Sequence, residues 1–488
     1  MLNIPTDIPE YHRLSSKALL EFFTRMEQLK LEVNSFMLLQ DGHATAQFWR
    51  EPYRKDSPQL LYSLSKSFTS IAIGIAWDQG WLDLEDPVIS FFPDKLPATI
   101  SPNLANMTVH HLLSMNTGHQ ENIYAAVVSE QDWVKAFLAQ EVEHEPGSHY
   151  RYSTPATYML SAIIERVTGQ NLVDFLMPRL FEPLGIPRPS WETCPMGVTA
   201  GGMGLSLTTE SVAKFGLMLL QRGIFEGKRM VSERYIKLAT MEQSDNRAGA
   251  KRIDSAQGYG YQFHLGRRGC YRGDGSFGQL CLVAPEEQIV IVANSSFKSM
   301  EPLQTLLNLI YEHIFDRLDE EVTPCSEAYM ELQNRLSTLT PIIPANQTVP
   351  DPIPMVHPGR YHMDDNPQGL RTIGLEVHEE TWELHVCYGD DRDHRVPFHF
   401  TQPMRTKQVF NKDLSLHLQE VVTYASWQDH RTIQLTMFYI ETPYVVTYTL
   451  ILQGKTLCFR FNINVSFNLS EYTVRGHLRK DDYLWESR

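Results

Sequence analysis

The stretch that decides the fold reads YSLSKSFTSIAIGIAW and runs from Tyr62 to Trp77. Near its start a serine and a lysine, Ser63 and Lys66, stand three positions apart, and from Ser67 onward the stretch is apolar on most faces. Residues three apart share one face of a helix, so the serine hydroxyl and the lysine amine can meet if the stretch is helical. An apolar helix of this kind is typical of a buried position. The pattern therefore predicts a lysine held inside the protein beside a serine.

This pair can act as a nucleophile and its base. A lysine is a poor base at its usual pKa of about 10.4. Burial, a neighbouring cation or a helix N-terminus would each destabilise the charged form and make the neutral amine available. The same helix N-terminus would direct free N–H groups at negative charge that develops on a substrate oxygen. Ser-x-x-Lys also arises by chance as a helix cap followed by an exposed lysine, but the apolar run after Lys66 argues against that interpretation.

Several further stretches follow in a fixed order along the chain. They are residues 82–88 (LDLEDPV), 107–114 (MTVHHLLS), 145–147 (EPG), 150–154 (YRYST), 200–205 (AGGMGL) and 277–286 (FGQLCLVAPE). Together with residues 63–70 they resemble the serine β-lactamase and penicillin-binding-protein superfamily. The resemblance looks closest to the branch of class C β-lactamases, D-aminopeptidases, DD-peptidases, esterases and aminohexanoate-oligomer hydrolases. It covers about Ser35 to Tyr311 and implies an α+β fold, in which an antiparallel sheet is flanked by helices and carries an inserted helical lobe.

The resemblance implies a third catalytic residue, Tyr152, which matches the tyrosine of the family's second motif. A phenol near a lysine ammonium is expected to ionise more readily, and it could relay a proton between Ser63 and the leaving group. Tyr150 is a rival two residues earlier, although Tyr-Ser-x matches the motif better at Tyr152. The motif usually ends in asparagine; here that position is Thr154, which the resemblance places among the substrate-binding residues. A threonine lacks the paired donor and acceptor of an amide, so the resemblance does not extend to recognition of an acylamide side chain.

The third motif departs further from the family. Where the family has Lys-Thr-Gly or His-x-Gly on an edge strand, residues 272–279 read RGDGSFGQ. Glycines such as Gly275 let the backbone approach a bound carbonyl, and the N–H of Ser276 is expected to be the second oxyanion donor. Asp274 lies within the same predicted substrate-binding strand, and Arg272 is the side chain that could replace the family's cation. The missing lysine or histidine argues against binding of a substrate carboxylate, and hence against β-lactamase or DD-carboxypeptidase activity.

The length of 488 residues predicts two domains. Six prolines between Thr340 and Gly359 remove amide donors and fix φ, so neither a helix nor a central strand can run through. We therefore predict a hydrolase domain at residues 1–340, a proline-rich linker at 341–358 and a β-rich accessory domain at 359–488. Short stretches of alternating or β-branched residues predict that the last domain is a β-sandwich or small barrel. They lie at residues 370–377, 381–388, 396–399, 414–423, 433–440, 445–452 and 456–465.

Composition excludes several function classes. The formal charge of -15 argues against a nucleic-acid partner, since phosphate binding needs clustered lysine and arginine. The N-terminus has no apolar signal region, and no uncharged apolar run approaches the ~20 residues of a membrane helix. Six scattered cysteines without C-x-x-C spacing indicate reduced thiols, which favours the cytoplasm. We predict no metal and no cofactor, because the pair His110-His111 is more typical of packing or capping and no ligand cluster is evident.

The combined prediction is a cytoplasmic serine hydrolase that cleaves an ester or amide of a small molecule through a covalent acyl-enzyme. One alternative is a peptidase of the D-aminopeptidase or DD-peptidase type. Another is a catalytically inactive binding or scaffold protein in which the β-rich domain does the work. The sequence leaves open whether Lys66 or Tyr152 is the base in each half-reaction, and it predicts no oligomeric state.

Overall fold

A computed structural model of the chain describes residues 4–318, 322–339, 359–378, 381–390 and 392–478. The chain forms two compact units, one of residues 1–49 and 55–339 and the other of residues 50–54 and 340–488. The predicted linker at 341–358 lies outside the described residues. Within the described ranges, no helix is both long enough and apolar enough to cross a lipid bilayer. All six cysteines are free thiols, as their scattered spacing predicted.

The first unit mixes helices and strands. Its helices are α1 (Ser16–Gln28), α2 (Ser65–Asp78), α3 (Pro102–Asn106), α4 (Val109–Leu113), α5 (Tyr124–Val128), α6 (Trp133–Leu138), α7 (Thr154–Thr168), α8 (Leu172–Leu176), α9 (Thr209–Leu220), α10 (Glu233–Ala239), α11 (Glu301–His313) and α12 (Ser326–Ser337). Its strands are β1 (Val33–Gln40), β2 (His43–Trp49), β3 (Gln59–Leu60), β4 (Ser190–Trp191), β5 (Leu205–Leu207), β6 (Ile224–Phe225), β7 (Lys228–Arg229), β8 (His264–Leu265), β9 (Tyr271–Gly275), β10 (Gln279–Ala284) and β11 (Ile289–Ser295). A 3-10 turn, Tyr62–Leu64, leads directly into α2.

A six-stranded antiparallel sheet forms the centre of this unit, in the order β2-β1-β11-β10-β9-β8. Helices α1, α11 and α12 contribute to one hydrophobic core with the sheet, and that core includes Phe22, Phe36 and Ile291, all fully buried. Helix α9 packs against β10 and β11. Gly216 permits this approach, since a Cβ there would lie 2.5 Å from Cγ1 of Val290. The sheet with its flanking helices confirms the predicted α+β class.

Helix α2 runs through the interior of the unit. Every residue from Ser65 to Ala76 is buried. Its Phe68 ring stacks on Phe215 of α9, with the ring centroids 3.8 Å apart. On another side α2 contacts α7 of the lobe that α3 to α8 form between β3 and β5. Because apolar side chains surround the helix, Lys66 is carried into the interior, as the sequence predicted.

The second unit is all-β. Its strands are β12 (Gly359–Met363), β13 (Leu370–His378), β14 (Thr381–Tyr388), β15 (Asp393–Phe398), β16 (Met404–Asn411), β17 (Leu416–Asp429), β18 (Thr432–Tyr439), β19 (Val445–Gln453), β20 (Thr456–Ile463) and β21 (Glu471–Leu478). They form one antiparallel sheet in the order β15-β14-β13-β12-β21-β20-β19-β18-β17-β16. The two end strands meet where Gln408 Nε2 of β16 donates to the Arg395 carbonyl oxygen of β15 over 2.5 Å, which makes the unit barrel-like. Of these strands, β12, β16 and β21 were not predicted.

A short segment from the first half of the chain, residues 50–54, belongs to the second unit. Tyr53 joins an apolar cluster that includes Phe438. Arg54 donates two hydrogen bonds, of 2.6 Å and 3.0 Å, to the Glu420 carboxylate. The second unit is therefore discontinuous in sequence, which no composition signal indicated.

Candidate active site

Ser63 lies in a tight connection between a strand and the buried helix. Before it, β3 pairs with β5, and the Leu61 N–H donates to the Leu205 carbonyl over 2.8 Å. Tyr62 then adopts a left-handed backbone with φ of 49°. From Gln59 to Ala76, Ser63 is the one residue that is not buried. The turn thus presents a single hydroxyl from an otherwise interior stretch.

Lys66 lies beside that hydroxyl and is 1% exposed. Its Nζ is 3.0 Å from Ser63 Oγ, 3.0 Å from Thr154 Oγ1 and 2.7 Å from the Gly202 carbonyl oxygen. These three partners are uncharged oxygens that fix the amine at the serine. Thr154, which the sequence placed among the substrate-binding residues, therefore contacts Lys66 through its hydroxyl.

Tyr152 completes the group. The Lys66 Nζ lies 5.0 Å from the centre of the Tyr152 ring. Burial raises the pKa of Tyr152 above its ordinary value, and the neighbouring Ser63 hydroxyl only partly offsets this. The expectation that this phenol ionises more readily is therefore wrong, because loss of hydration outweighs the nearby polar groups. At neutral pH the side chain is a neutral phenol that can donate a proton.

Strand β9 lies directly against the nucleophile turn, and two glycines make this possible. A Cβ at Gly275 would lie 2.2 Å from the Leu61 carbonyl oxygen. A Cβ at Gly273 would lie 2.4 Å from Leu64 Cδ1 and 2.5 Å from Ser67 Oγ. Ser276 follows at the end of the strand and lines the same cavity as Ser63. These glycines let β9 pack against the turn that carries Ser63, whereas their predicted role, letting the backbone approach a bound carbonyl, stays a prediction.

Arg272 and Asp274 form an ion pair on the wall of the cavity. Their side chains are 4% and 11% exposed, and Arg272 Nε lies 2.8 Å from Asp274 Oδ2. Burial opposes ionisation of Asp274, but the surrounding cationic side chains, among them Arg272, hold its pKa below the usual range. Arg272 is therefore neutralised by its neighbour. The sequence-based option that it substitutes for the family's cation is not supported by this geometry.

His264, on β8, is a cavity residue that the sequence analysis missed. Its ring stacks on Tyr152, with the centroids 5.9 Å apart and the planes at 19°. Its Nε2 is 3.6 Å from Asp274 Oδ1, and its Nδ1 is buried without a hydrogen-bond partner in the described part of the chain. Burial lowers the pKa of His264 to about 4, against the opposing charge of Asp274. The imidazole is therefore neutral at pH 7, and it carries an unpaired polar atom in the ring that stacks on Tyr152.

A cavity of about 570 Å³ is lined by Ser63, Tyr152, His264, Arg272 and Asp274, among others. One wall is the loop before β8, which brings two further cations, Lys251 and Arg252, to the cavity. Tyr150, the rival of Tyr152, also lines it. Within the described residues, no three potential metal ligands meet in this cavity. The full lining consists of Ser63, Tyr150, Tyr152, Asn246, Ala248, Gly249, Ala250, Lys251, Arg252, Ser255, His264, Arg272, Asp274, Gly275, Ser276, Met300 and Glu301.

The pair His110-His111 lies elsewhere and is structural. The Thr108 N–H donates to His111 Nδ1 over 3.0 Å at the start of α4, which closes a capping box. His110 Nδ1 lies 2.7 Å from the Tyr261 hydroxyl. This confirms the predicted packing and capping role of the pair.

Comparison with known proteins places this geometry in context. Residues 24–310 match the model of the family described as Beta-lactamase. The 6-aminohexanoate-dimer hydrolase of Paenarthrobacter ureafaciens is 24% identical over 291 residues, which is 54% of this chain and 72% of that protein. The octameric penicillin-binding protein homologue from Pyrococcus abyssi has a TM-score of 0.50 at 17% identity, covering 94% of this chain and 99% of that one. EstCE1, a hydrolase with promiscuous acyltransferase activity, has a TM-score of 0.50 at 16% identity, covering 61% and 99%.

Proposed function

The chain belongs to the beta-lactamase family, and on that premise we propose that it is a serine hydrolase that cleaves a small ester or amide through an acyl-enzyme on Ser63. One observation carries the proposal. The Lys66 amine donates a hydrogen bond of 3.0 Å to the Ser63 hydroxyl, and the Tyr152 ring centre lies 5.0 Å from the same amine. Ser63 and Tyr152 line a cavity large enough for a small organic substrate.

Acylation begins at the serine. In this proposal Lys66 works as a neutral amine and takes the Ser63 proton as Oγ attacks the substrate carbonyl. The lysine has little freedom to leave, because the Thr154 hydroxyl and the Gly202 carbonyl hold Nζ in place. Such positioning turns an encounter between the two groups into a step within one assembled site.

Negative charge then develops on the substrate oxygen. The backbone N–H groups of Ser63 and Ser276 are the proposed donors, one at the start of the buried helix and one at the end of β9. The glycines of β9 support this assignment, since they let the strand lie against the nucleophile turn. Preorganised donors of this kind contribute on the order of 10²–10³ in kcat each.

Tyr152 is the proposed proton donor to the leaving alcohol or amine. Its raised pKa keeps the phenol protonated before the reaction, and its contact with Ser63 places it near the bond that breaks. Lys66, protonated in the first step, can then restore the phenol proton. Water attacks the ester of Ser63 in the second half-reaction, and the same groups transfer the proton in reverse.

The substrate class follows from the third motif. Arg272 is paired with Asp274, and the second motif ends in Thr154, whose hydroxyl is engaged by Lys66. Neither residue supports the recognition of a β-lactam carboxylate and acylamide side chain. We therefore propose a small ester or amide as the substrate, and a panel of p-nitrophenyl esters and D-aminoacyl amides would separate an esterase from a D-aminopeptidase.

A fluorophosphonate probe tests the proposal directly. We expect the wild-type protein to be labelled at Ser63, as located by peptide mass spectrometry, and to hydrolyse a p-nitrophenyl ester. Ser63→Ala is expected to lose both activities. Ser255→Ala is the matched control, because this serine lines the same cavity and has no role in the mechanism. Labelling that persists in Ser63→Ala would refute Ser63 as the nucleophile, and no labelling of the wild type would favour the scaffold alternative.

A further inference from the structure

The second unit carries a cluster of metal-ligating side chains on β13 and β14. Glu376 of β13 stands directly opposite Glu383 of β14, and His385 lies two residues further along β14. One ligand atom from each of the three residues lies within 4.8 Å of the others. Within the described ranges this is the one group of three such residues. It belongs to the second unit, whereas Ser63 belongs to the first.

The sheet places the three side chains on one face. Residues two apart on a strand point to the same side, so Glu383 and His385 share a face, while Leu384 between them is fully buried in the core. Two like charges directly opposite each other on neighbouring strands repel and destabilise the pairing. A cation between Glu376 and Glu383 would remove that repulsion.

The spacing of the ligand atoms suits a small divalent ion. The Nε2 of His385 is 2.6 Å from Glu383 Oε1 and 3.8 Å from Glu376 Oε2. Nitrogen and oxygen ligands lie about 2.0–2.2 Å from zinc, so neighbouring ligands of a tetrahedral ion stand about 3.4 Å apart. The two observed separations lie on either side of about 3.4 Å, and small rotations of the glutamate side chains would bring both to that distance.

On β13, no side chain stands directly across from His385. Gly374 of β13 is the cross-strand partner of His385, and a Cβ there would meet nothing nearer than 3.7 Å. His385 is nevertheless only 7% exposed, so its ring is held by its neighbours. Arg395 is the competing cation, with Nη1 3.7 Å from Glu383 Oε1, but its side chain is 63% exposed and can turn into solvent.

We propose that Glu376, Glu383 and His385 bind a divalent transition-metal ion, with zinc as the best match. An imidazole with two carboxylates on rigid strands favours zinc over magnesium or calcium, which prefer oxygen ligands alone. The ion would join β13 to β14 and have a structural role in the second unit. Direct contacts of His385 with the two carboxylates, without a metal ion, are the alternative arrangement.

Zinc content measures this directly. The full-length protein is stripped with EDTA, dialysed against micromolar ZnCl₂ and analysed by atomic emission. We expect His385→Asn and Glu376→Gln each to bind one zinc ion fewer per chain than the wild type. The control His477→Asn removes a histidine that faces a single carboxylate, Asp364, at 3.8 Å, and is expected to match the wild type.

Urea unfolding in EDTA shows whether each variant still folds without metal. If His385→Asn does not fold, Glu376→Gln decides, because that side chain is 53% exposed. Equal zinc content in all four proteins would overturn the proposal, as would full zinc content in Glu376→Gln. A wild type that retains no zinc after dialysis, and whose stability does not change when zinc is added, would favour the direct contacts and count against the metal.

Discussion

The substitution Gly275→Ala tests whether β9 must lie against the nucleophile turn. The new Cβ would lie 2.2 Å from the Leu61 carbonyl oxygen, about 1.2 Å closer than the 3.4 Å at which ordinary contact begins. That oxygen is part of the backbone, and it accepts a hydrogen bond of 3.1 Å from the Leu64 N–H. It cannot rotate away as a side chain would. The strand and the turn that carries Ser63 must therefore separate by about 1 Å.

A shift of this size would move the Ser63 hydroxyl relative to the Ser276 N–H, and the proposed mechanism depends on the spacing of these two groups. A misplacement of about 1 Å can cost on the order of 10²-fold in rate, and removing an oxyanion donor costs about 10²–10³ in kcat. We therefore expect Gly275→Ala to lower kcat/KM by about 10²–10³-fold, which corresponds to about 3–4 kcal/mol of transition-state stabilisation. Gly273→Ala is expected to lose less, because its Cβ would meet side-chain atoms of Leu64 and Ser67 that can move.

The assay is hydrolysis of a p-nitrophenyl ester, with the rate of fluorophosphonate labelling as a second readout. Urea unfolding separates a misplaced site from an unfolded protein. Gly374→Ala is the matched control, since it adds the same methyl group to a strand where the nearest atom is 3.7 Å away. If Gly275→Ala kept kcat/KM within about threefold of the wild type, the reasoning on the oxyanion site would be refuted.

Three further predictions concern the proton-transfer groups and the effect of pH on stability. Lys66→Met is expected to lower kcat by at least ~10²-fold with little change in KM, and a variant within tenfold of wild-type kcat would assign Lys66 a structural role only. Tyr152→Phe is expected to slow amide cleavage more than cleavage of p-nitrophenyl esters, whose leaving group departs without a proton; equal losses would contradict the proposed proton donor. Burial lowers the pKa of His119 to about 4, and the charge of Glu143 only partly opposes this. Between about pH 4 and 6.5 the unfolded chain therefore binds more protons than the folded chain. The free energy of unfolding is expected to fall by up to ~3 kcal/mol as the pH decreases through that window. His119→Phe is expected to flatten this part of a urea-stability profile, and an unchanged profile would show that another group is responsible.

The residues of the proposed active site differ in how well the sequence predicts them. Ser63 and Lys66 are three residues apart in one helical stretch, so helical periodicity alone predicts their contact. Tyr152 comes from another element, and only the family resemblance singled it out. Its neighbour His264 lies on a strand of two residues, which is too short to show periodicity, and its contact with Tyr152 depends on the tertiary fold.

The ion pair in the third motif could have been predicted from the sequence, but we did not predict it. Arg272 and Asp274 are two apart on a predicted strand, so they share a face and carry opposite charges. The all-β unit shows a different limit. Strand β16 is largely polar and half exposed, so it lacks the apolar alternation that marks a strand, whereas the more regular β18 and β19 were found.

The attachment of residues 50–54 to the second unit bears on how that unit can be prepared alone. A fragment that starts at Gly359 would lack Tyr53, whose ring packs with Phe438. It would also leave Glu420 without the bidentate contact from Arg54. Fragment complementation with a peptide spanning residues 50–54 is thus the natural way to obtain the second unit in its native form.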